Sequence, residues 1–218
     1  MTRAVQARHF RGLNAQSGLC GERRIEGLYL IVGHVGRVEL LVPQGADLVQ
    51  LRIEGQPEAE VRRQIARARD FCAVHDAQLV IHRHWQAALD LNCDFVHLTQ
   101  QDLAEVDADA LHRAGIRYGV DVGDDTELKH ALTLSPAYVA LDLRALSRES
   151  EGNQPLEQLK RWKQTSGDVP LVVSGGLVIE RLHAVFAAGA DCVAVSTDIQ
   201  SAEDPEARTR AWVTACGA

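Results

Sequence analysis

The sequence has no cysteine pair of the C-x-x-C type; its five cysteines, Cys20, Cys72, Cys93, Cys192 and Cys216, are scattered and odd in number. That excludes a disulfide framework and a zinc cage and points to a reducing, cytoplasmic setting. No run approaches the roughly 18 consecutive apolar residues of a membrane-spanning helix, so no membrane partner is expected. Positive charge is in deficit, with 23 Lys+Arg against 30 Asp+Glu and a net charge of −7. A broad nucleic-acid-coating surface is thereby excluded. No linker rich in proline or serine divides the chain. The first 27 residues carry five arginines against two acids but lack the continuous apolar stretch of a secretory signal. They read as an N-terminal extension, 1–27, with an organelle transit peptide as the alternative, ahead of a single domain over 28–218.

What is present is regular. At 46% hydrophobic and 24% charged residues, the chain can bury a sizeable core. From Leu28 onward, strand-length apolar runs alternate with longer amphipathic stretches. The spacing predicts strands at Leu28 to Gly33, Asp47 to Ile53, Gln78 to Arg83, Phe95 to Gln100, Arg117 to Val122, Ala137 to Leu143, Pro170 to Gly176 and Asp191 to Ile199. The clearest helices are Glu58 to His75, where Val61, Ile65, Ala68 and Cys72 recur at helical spacing, and Pro155 to Ser166. Runs such as Leu171-Val172-Val173 and Val193-Ala194-Val195 are apolar on both faces, as a helix-covered parallel sheet requires. Eight such units in about 190 residues predict an α/β fold, a TIM (β/α)8 barrel, rather than an open doubly wound sheet. Gly45-Ala46-Asp47 and Gly189-Ala190-Asp191 mark helix-to-strand corners.

In such barrels the chemistry sits at the C-terminal strand ends. Strand seven ends in Ser174-Gly175-Gly176-Leu177 and strand eight in Ser196-Thr197-Asp198-Ile199. Loops after these two strands form the common phosphate site of the fold, so a phosphorylated ligand is expected over Ser174, Gly175, Gly176, Ser196 and Thr197. A tight chain turn is the plainer reading of the glycines. Asp198 opposes an anion there unless its orientation removes it. Gln50 and Arg52 alternate onto one face of strand two, where Arg52 suits an anionic group and Gln50 a ring nitrogen or carbonyl; pairing of Arg52 with an acid inside the barrel is the alternative. Gln100 and Asp102 are placed at the top of strand four on a shared face, and Asp102 equally suits a helix cap. His82, His84 and His97 make a weak metal pattern. There is no G-x-S-x-G nucleophile motif.

The blocks Leu28-Tyr29-Leu30-Ile31-Val32, Val49-Gln50-Leu51-Arg52, Leu79-Val80-Ile81, Phe95-Val96-His97-Leu98-Thr99-Gln100-Gln101-Asp102-Leu103, Ser174-Gly175-Gly176-Leu177 and Gly189-Ala190-Asp191-Cys192-Val193-Ala194-Val195 occur in an order that resembles the thiamine monophosphate synthase family and its relative, the thiazole tautomerase. The likeness runs from about residue 28 to 212. It implies a barrel, often a homodimer, that joins hydroxymethylpyrimidine diphosphate to thiazole phosphate and releases diphosphate with the help of Mg2+. It places catalytic roles on Gln50 and Arg52, the small phosphorylated heterocycle on Gln100 and the two strand-end cups, and metal on Asp102; His82 and Arg83, which stand where the family differs, are the further catalytic candidates.

The departures are as informative. Glu54 stands where the family has a lysine, and His82-Arg83 where it has Asn-Asp, which leaves Asp102 as the remaining carboxylate for magnesium. The fifth strand ends in Asp121-Val122-Gly123 instead of a hydroxyl pair and a histidine, and the sixth continues into Asp142-Leu143-Arg144. Three readings stay open: a retained synthase using Arg83 and Arg144 on phosphate without metal, a tautomerase-like enzyme with His82 or His84 as base, and a non-catalytic barrel that binds a phosphorylated ligand.

Overall fold

The computed structural model describes residues 25–144 and 154–217. Most of the expected N-terminal extension lies outside these residues. Its last part does not: Ile25 is buried beneath the barrel floor and Gly27 already opens the first strand.

Eight strands close into a barrel in which every neighbour is parallel. They are β1 (Gly27–Val32), β2 (Leu48–Leu51), β3 (Gln78–His82), β4 (Phe95–Leu98), β5 (Arg117–Asp121), β6 (Tyr138–Asp142), β7 (Leu171–Ser174) and β8 (Cys192–Val195). The helices are α1 (Val35–Leu41), α2 (Glu58–Val74), α3 (Trp85–Asp90), α4 (Gln100–Leu103), α5 (Ala108–Arg113), α6 (Asp125–Thr133), α7 (Gln154–Ser166), α8 (Leu182–Ala187), α9 (Thr197–Gln200) and α10 (Pro205–Cys216). Among the described residues no helix is long and apolar enough to cross a membrane.

Period-two alternation divides each strand between two cores. One set of positions, including Leu30, Val49, Ile81, Val96, Val120, Val173 and Val193, packs outward against the helices, where α2 contributes Val61, Ile65, Ala68 and Cys72 at the predicted spacing. The other set fills the barrel: Tyr29, Leu48, Val80, Phe95, Tyr138, Val172 and Cys192. Large and small side chains interlock there. The Tyr138 ring lies where a Cβ on Gly119 of the adjacent strand would stand.

The corners follow the predicted signatures. Gly45 and Gly189 take φ of 101° and 106°, conformations that suit a residue without Cβ. Past the second corner, Asp191 Oδ2 accepts from Lys163 Nζ (2.8 Å) and the Leu171 N–H (2.7 Å), tying α7 to β7.

Strands β4 and β8 are shorter than predicted, because a polar residue starts a helix at their tops. β4 stops at Leu98: Thr99 and Asp102 form a capping box in which Asp102 Oδ2 accepts from the Thr99 N–H at 2.8 Å, so Gln100 opens α4 instead of ending the strand. β8 likewise stops at Val195 with Thr197 in α9, and β2 stops at Leu51, before Arg52.

Candidate functional site

The inward positions become polar as the strands rise. Gln50 of β2 is buried, its Nε2 donating to the Tyr29 hydroxyl at 3.1 Å. Tyr29 shares a 2.9 Å hydrogen bond with the Tyr138 hydroxyl, which lies 2.7 Å from His97 Nδ1. The other nitrogen of His97 meets Asp121 Oδ1 at 3.0 Å. A continuous polar chain thus runs from Gln50 across the barrel to Asp121, whose side chain is 50% exposed. Burial alone would raise the Asp121 carboxyl pKa; His97, through charge and hydrogen bond, together with His82 and Arg52, brings it below the ordinary carboxylate value.

His82 stacks on His97 with ring centroids 5.5 Å apart. Only 4% of it is exposed, and its Nδ1 is buried without a hydrogen-bond partner among the described residues. Burial, reinforced by His97 and Arg52, pulls its pKa down to about 3 against the pull of Asp121 and Asp102. His82 is therefore a neutral ring at physiological pH and a weak base. His84 turns elsewhere, its Nε2 3.1 Å from the Ile53 carbonyl. The three histidines do not converge, and among the described residues no group of three or more His, Cys, Asp or Glu is placed to hold a metal ion.

Two compartments open on this floor. The central one, ≈ 260 Å³, is walled by Gln50, His82, His97, Gln100 and Asp121. Beside it a wider polar one, ≈ 530 Å³, is lined by Ser174, Gly175, Gly176, Ser196 and Thr197. Arg52, Asp142 and Ser174 belong to both. Arg52 is not paired inside the barrel; it stands at the rim, 51% exposed, with Nε 2.6 Å from Glu54. That contact, first as a hydrogen bond and then as charge, holds the Glu54 carboxyl below its ordinary range.

The wider compartment gathers the five residues predicted from strands seven and eight. Gly175, at φ 95°, allows close approach, since a Cβ there would stand 2.8 Å from Asp142 Cγ and 3.0 Å from the Arg144 nitrogen. Ser196 precedes the short α9, whose leading N–H groups have no intrahelical acceptors. Asp198 also lines this compartment, with its Oδ2 turned to α10, where it accepts from Arg208 Nε and Trp212 Nε1, each at 2.6 Å.

Gln100 and Asp102 are not on one face. Within a helix, positions two apart diverge, and only Gln100 reaches the central compartment, its Nε2 donating to the Asp121 carbonyl at 2.6 Å. Asp102 is buried under Arg83, whose Nε lies 3.2 Å from Asp102 Oδ1. The residues not anticipated as a unit are His97, Asp121 and Tyr138. Their inward parity is readable in the sequence; the reach of His97 to both partners depends on barrel closure.

Fold and mouth define the class: a (β/α)8 barrel with a polar central well and a glycine- and hydroxyl-lined cup at its strand-seven and strand-eight ends. The profile described as thiamine monophosphate synthase matches residues 28–199, and the chain belongs to that family. It is 44% identical over 195 residues to the thiamine-phosphate synthase of Rhizobium etli, covering 88% of this chain and 96% of that protein. It is 38% identical over 186 residues to that of Serratia proteamaculans, covering 84% and 88%. In fold it is similar to the thiamine phosphate pyrophosphorylase structure from Pyrococcus furiosus, with a TM-score of 0.74 at 22% identity over 88% of this chain and 95% of that one.

Proposed function

We propose that the chain is a thiamine-phosphate synthase, joining hydroxymethylpyrimidine diphosphate to thiazole phosphate. The observation that carries this reading is the pair of adjoining compartments with Arg52 belonging to both. A condensation needs two ligands side by side and positive charge where the leaving group departs.

In this reading the pyrimidine ring enters the central well, where Gln50 addresses its edge and the neutral His82 offers a ring face. The thiazole phosphate lies in the cup of Gly175, Gly176, Ser196 and Thr197. As the methylene–oxygen bond breaks, its electron pair leaves with the diphosphate, and the bond from thiazole to methylene carbon forms. Negative charge grows toward Arg52, with Arg144 across the cup, while the ring, carrying positive charge, faces Asp121, which is held ionised. The magnesium ion that the family implies does not fit the residues present, for Asp102 has both oxygens engaged by Thr99 and Arg83. A proton-moving, tautomerase-like reaction is disfavoured, because His82 is buried with its pKa pulled down and His84 is turned to the Ile53 carbonyl, away from the central compartment. A cytoplasmic location accords with the four described cysteines, all free thiols.

The test is product formation. The purified chain is expected to make thiamine phosphate from the two substrates, and Arg52→Ala to reduce the rate by about a hundredfold or more, the scale of losing one charge-stabilising group. An unchanged rate in a folded Arg52→Ala protein would remove the role.

A further inference from the structure

The family likeness implies a divalent ion held by carboxylates at the tops of β3 and β4, and the residues there are arranged for something else. Directly after β3 stands Arg83, 47% exposed, with its Nε 3.2 Å from Asp102 Oδ1. The other oxygen of Asp102 takes both the N–H and the hydroxyl of Thr99, at 2.8 and 2.7 Å. Arg83 is held in place by its backbone: its N–H donates to the His97 carbonyl (2.9 Å), its carbonyl accepts from the Trp85 N–H (2.6 Å), and its φ is 65°, in the left-handed region.

The same pairing recurs around the mouth. Glu54 faces Arg52 at 2.6 Å, Asp142 faces Arg144 at 3.0 Å, Asp198 faces Arg208 at 2.6 Å and Asp121 faces His97 at 3.0 Å. Each of these five carboxylates, Asp102 included, has a basic side chain of its own, while Glu127 at the central compartment accepts from the Gly123 N–H at 2.6 Å. A hard divalent cation needs anionic oxygens with lone pairs to give, and prefers a corner of net negative charge. At the Asp102 corner a guanidinium already cancels the one carboxylate. What the rim exposes instead is guanidinium: Arg52 and Arg83 follow adjacent parallel strands, each about half exposed, and the charge of both reaches Glu54.

We propose that Arg83 is the built-in cation of this mouth, replacing a divalent ion at Asp102, and that the site receives a diphosphate group on Arg83 and Arg52 with no metal required. Planar guanidinium forks match phosphate oxygens and need no inner-sphere dehydration of a metal. The proposal rests on the synthase reading for the identity of the anion as a diphosphate.

The experiment is calorimetric titration of inorganic pyrophosphate into the full chain, in EDTA and in excess magnesium. Alongside it, electron paramagnetic resonance counts bound Mn2+. The wild-type chain is expected to bind pyrophosphate in EDTA, with affinity changed by less than about threefold on adding magnesium, and to bind no Mn2+ on its own. Arg83→Gly deletes the guanidinium while suiting the left-handed backbone, so the fold is retained and affinity in EDTA falls about tenfold or more. Arg83→Asp, which sets a second carboxylate beside Asp102, is expected to gain Mn2+ binding. Pyrophosphate binding that vanishes in EDTA and returns with magnesium would overturn the proposal, as would undiminished affinity in a folded Arg83→Gly chain. No binding in either buffer would also overturn it; thiamine phosphate formation assayed with magnesium then decides separately whether the synthase reading survives.

Discussion

Replacing Gly175 by alanine tests the proposed phosphate cup, and the size of the effect is readable from the geometry. The new Cβ would overlap Asp142 Oδ1, and would stand 2.8 Å from Asp142 Cγ and 3.0 Å from the Arg144 nitrogen. Something must move, and Asp142 is the group able to. It is also the group that accepts from the Arg144 backbone N–H at 2.7 Å and from its guanidinium at 3.0 Å. Holding an alanine at φ 95° costs about 1–2 kcal/mol. Losing the Asp142 backbone hydrogen bond adds about 1 kcal/mol. The sum, about 2–3 kcal/mol, corresponds to a melting temperature lower by about 4–12 °C in a domain of this size. Gly176→Ala supplies the comparison: its φ is 65° but its nearest neighbours are Arg144 Cδ and Cγ at 3.7 Å. Only the conformational cost remains there, about 1–2 kcal/mol. Thermal unfolding and calorimetric binding of thiazole phosphate on both variants give the assay. Gly175→Ala is expected to lose about tenfold or more in affinity and to be the less stable of the two. A Gly175→Ala chain as stable as Gly176→Ala, with wild-type affinity, would refute the reasoning.

Other consequences are sharper in stability than in activity. Gly119→Ala sets a Cβ into the ring of Tyr138, which is fully buried and fixed through its hydroxyl to Tyr29 and His97; a loss of about 3 kcal/mol or more in urea unfolding is expected, and a neutral result would show that the barrel interior is not close-packed there. The depressed His82 pKa, about 3, means that below about pH 6.5 the unfolded chain binds a proton the folded chain refuses, so stability is lost as pH falls from there toward 3, at up to about 1.4 kcal/mol per pH unit. Asp121, depressed as well, loses its contribution in the same direction as it protonates, so the His82 share is isolated by His82→Phe, whose unfolding free energy should vary less between pH 6.5 and 4.5; equal slopes would contradict a buried neutral histidine. Arg208→Ala combined with Trp212→Phe removes both 2.6 Å hydrogen bonds to Asp198 and, besides costing about 2 kcal/mol, frees that carboxylate toward the cup. Phosphate affinity measured by calorimetry should fall with it.

The barrel was legible because its signals are local and repeated: apolar runs of strand length, helices with buried positions three and four apart, and glycine corners at Gly45 and Gly189. The cup of Ser174, Gly175, Gly176, Ser196 and Thr197 was legible too, since the fold fixes where the loops after strands seven and eight meet. Strand four is instructive. Thr99-x-x-Asp102 is a capping signature visible in the sequence, yet the apolar run Phe95 to Leu98 carried the strand reading two residues too far, which put Gln100 and Asp102 on one face. The pairing of Arg83 with Asp102 and of His97 with Asp121 was not readable, because each joins neighbouring strands whose relative register only the closed barrel sets. The direction of Asp198 depended on α10, ten and fourteen residues away, through Arg208 and Trp212.

In the proposed synthase the mouth holds two ligands side by side across Arg52. The most direct measurement is calorimetric titration of thiazole phosphate into the chain already saturated with inorganic pyrophosphate. Simultaneous binding, with a stoichiometry of one thiazole phosphate per chain and affinity close to that of the free protein, is the predicted result. Mutually exclusive binding, in which pyrophosphate suppresses thiazole phosphate competitively, would show one shared phosphate site and contradict the two-compartment account.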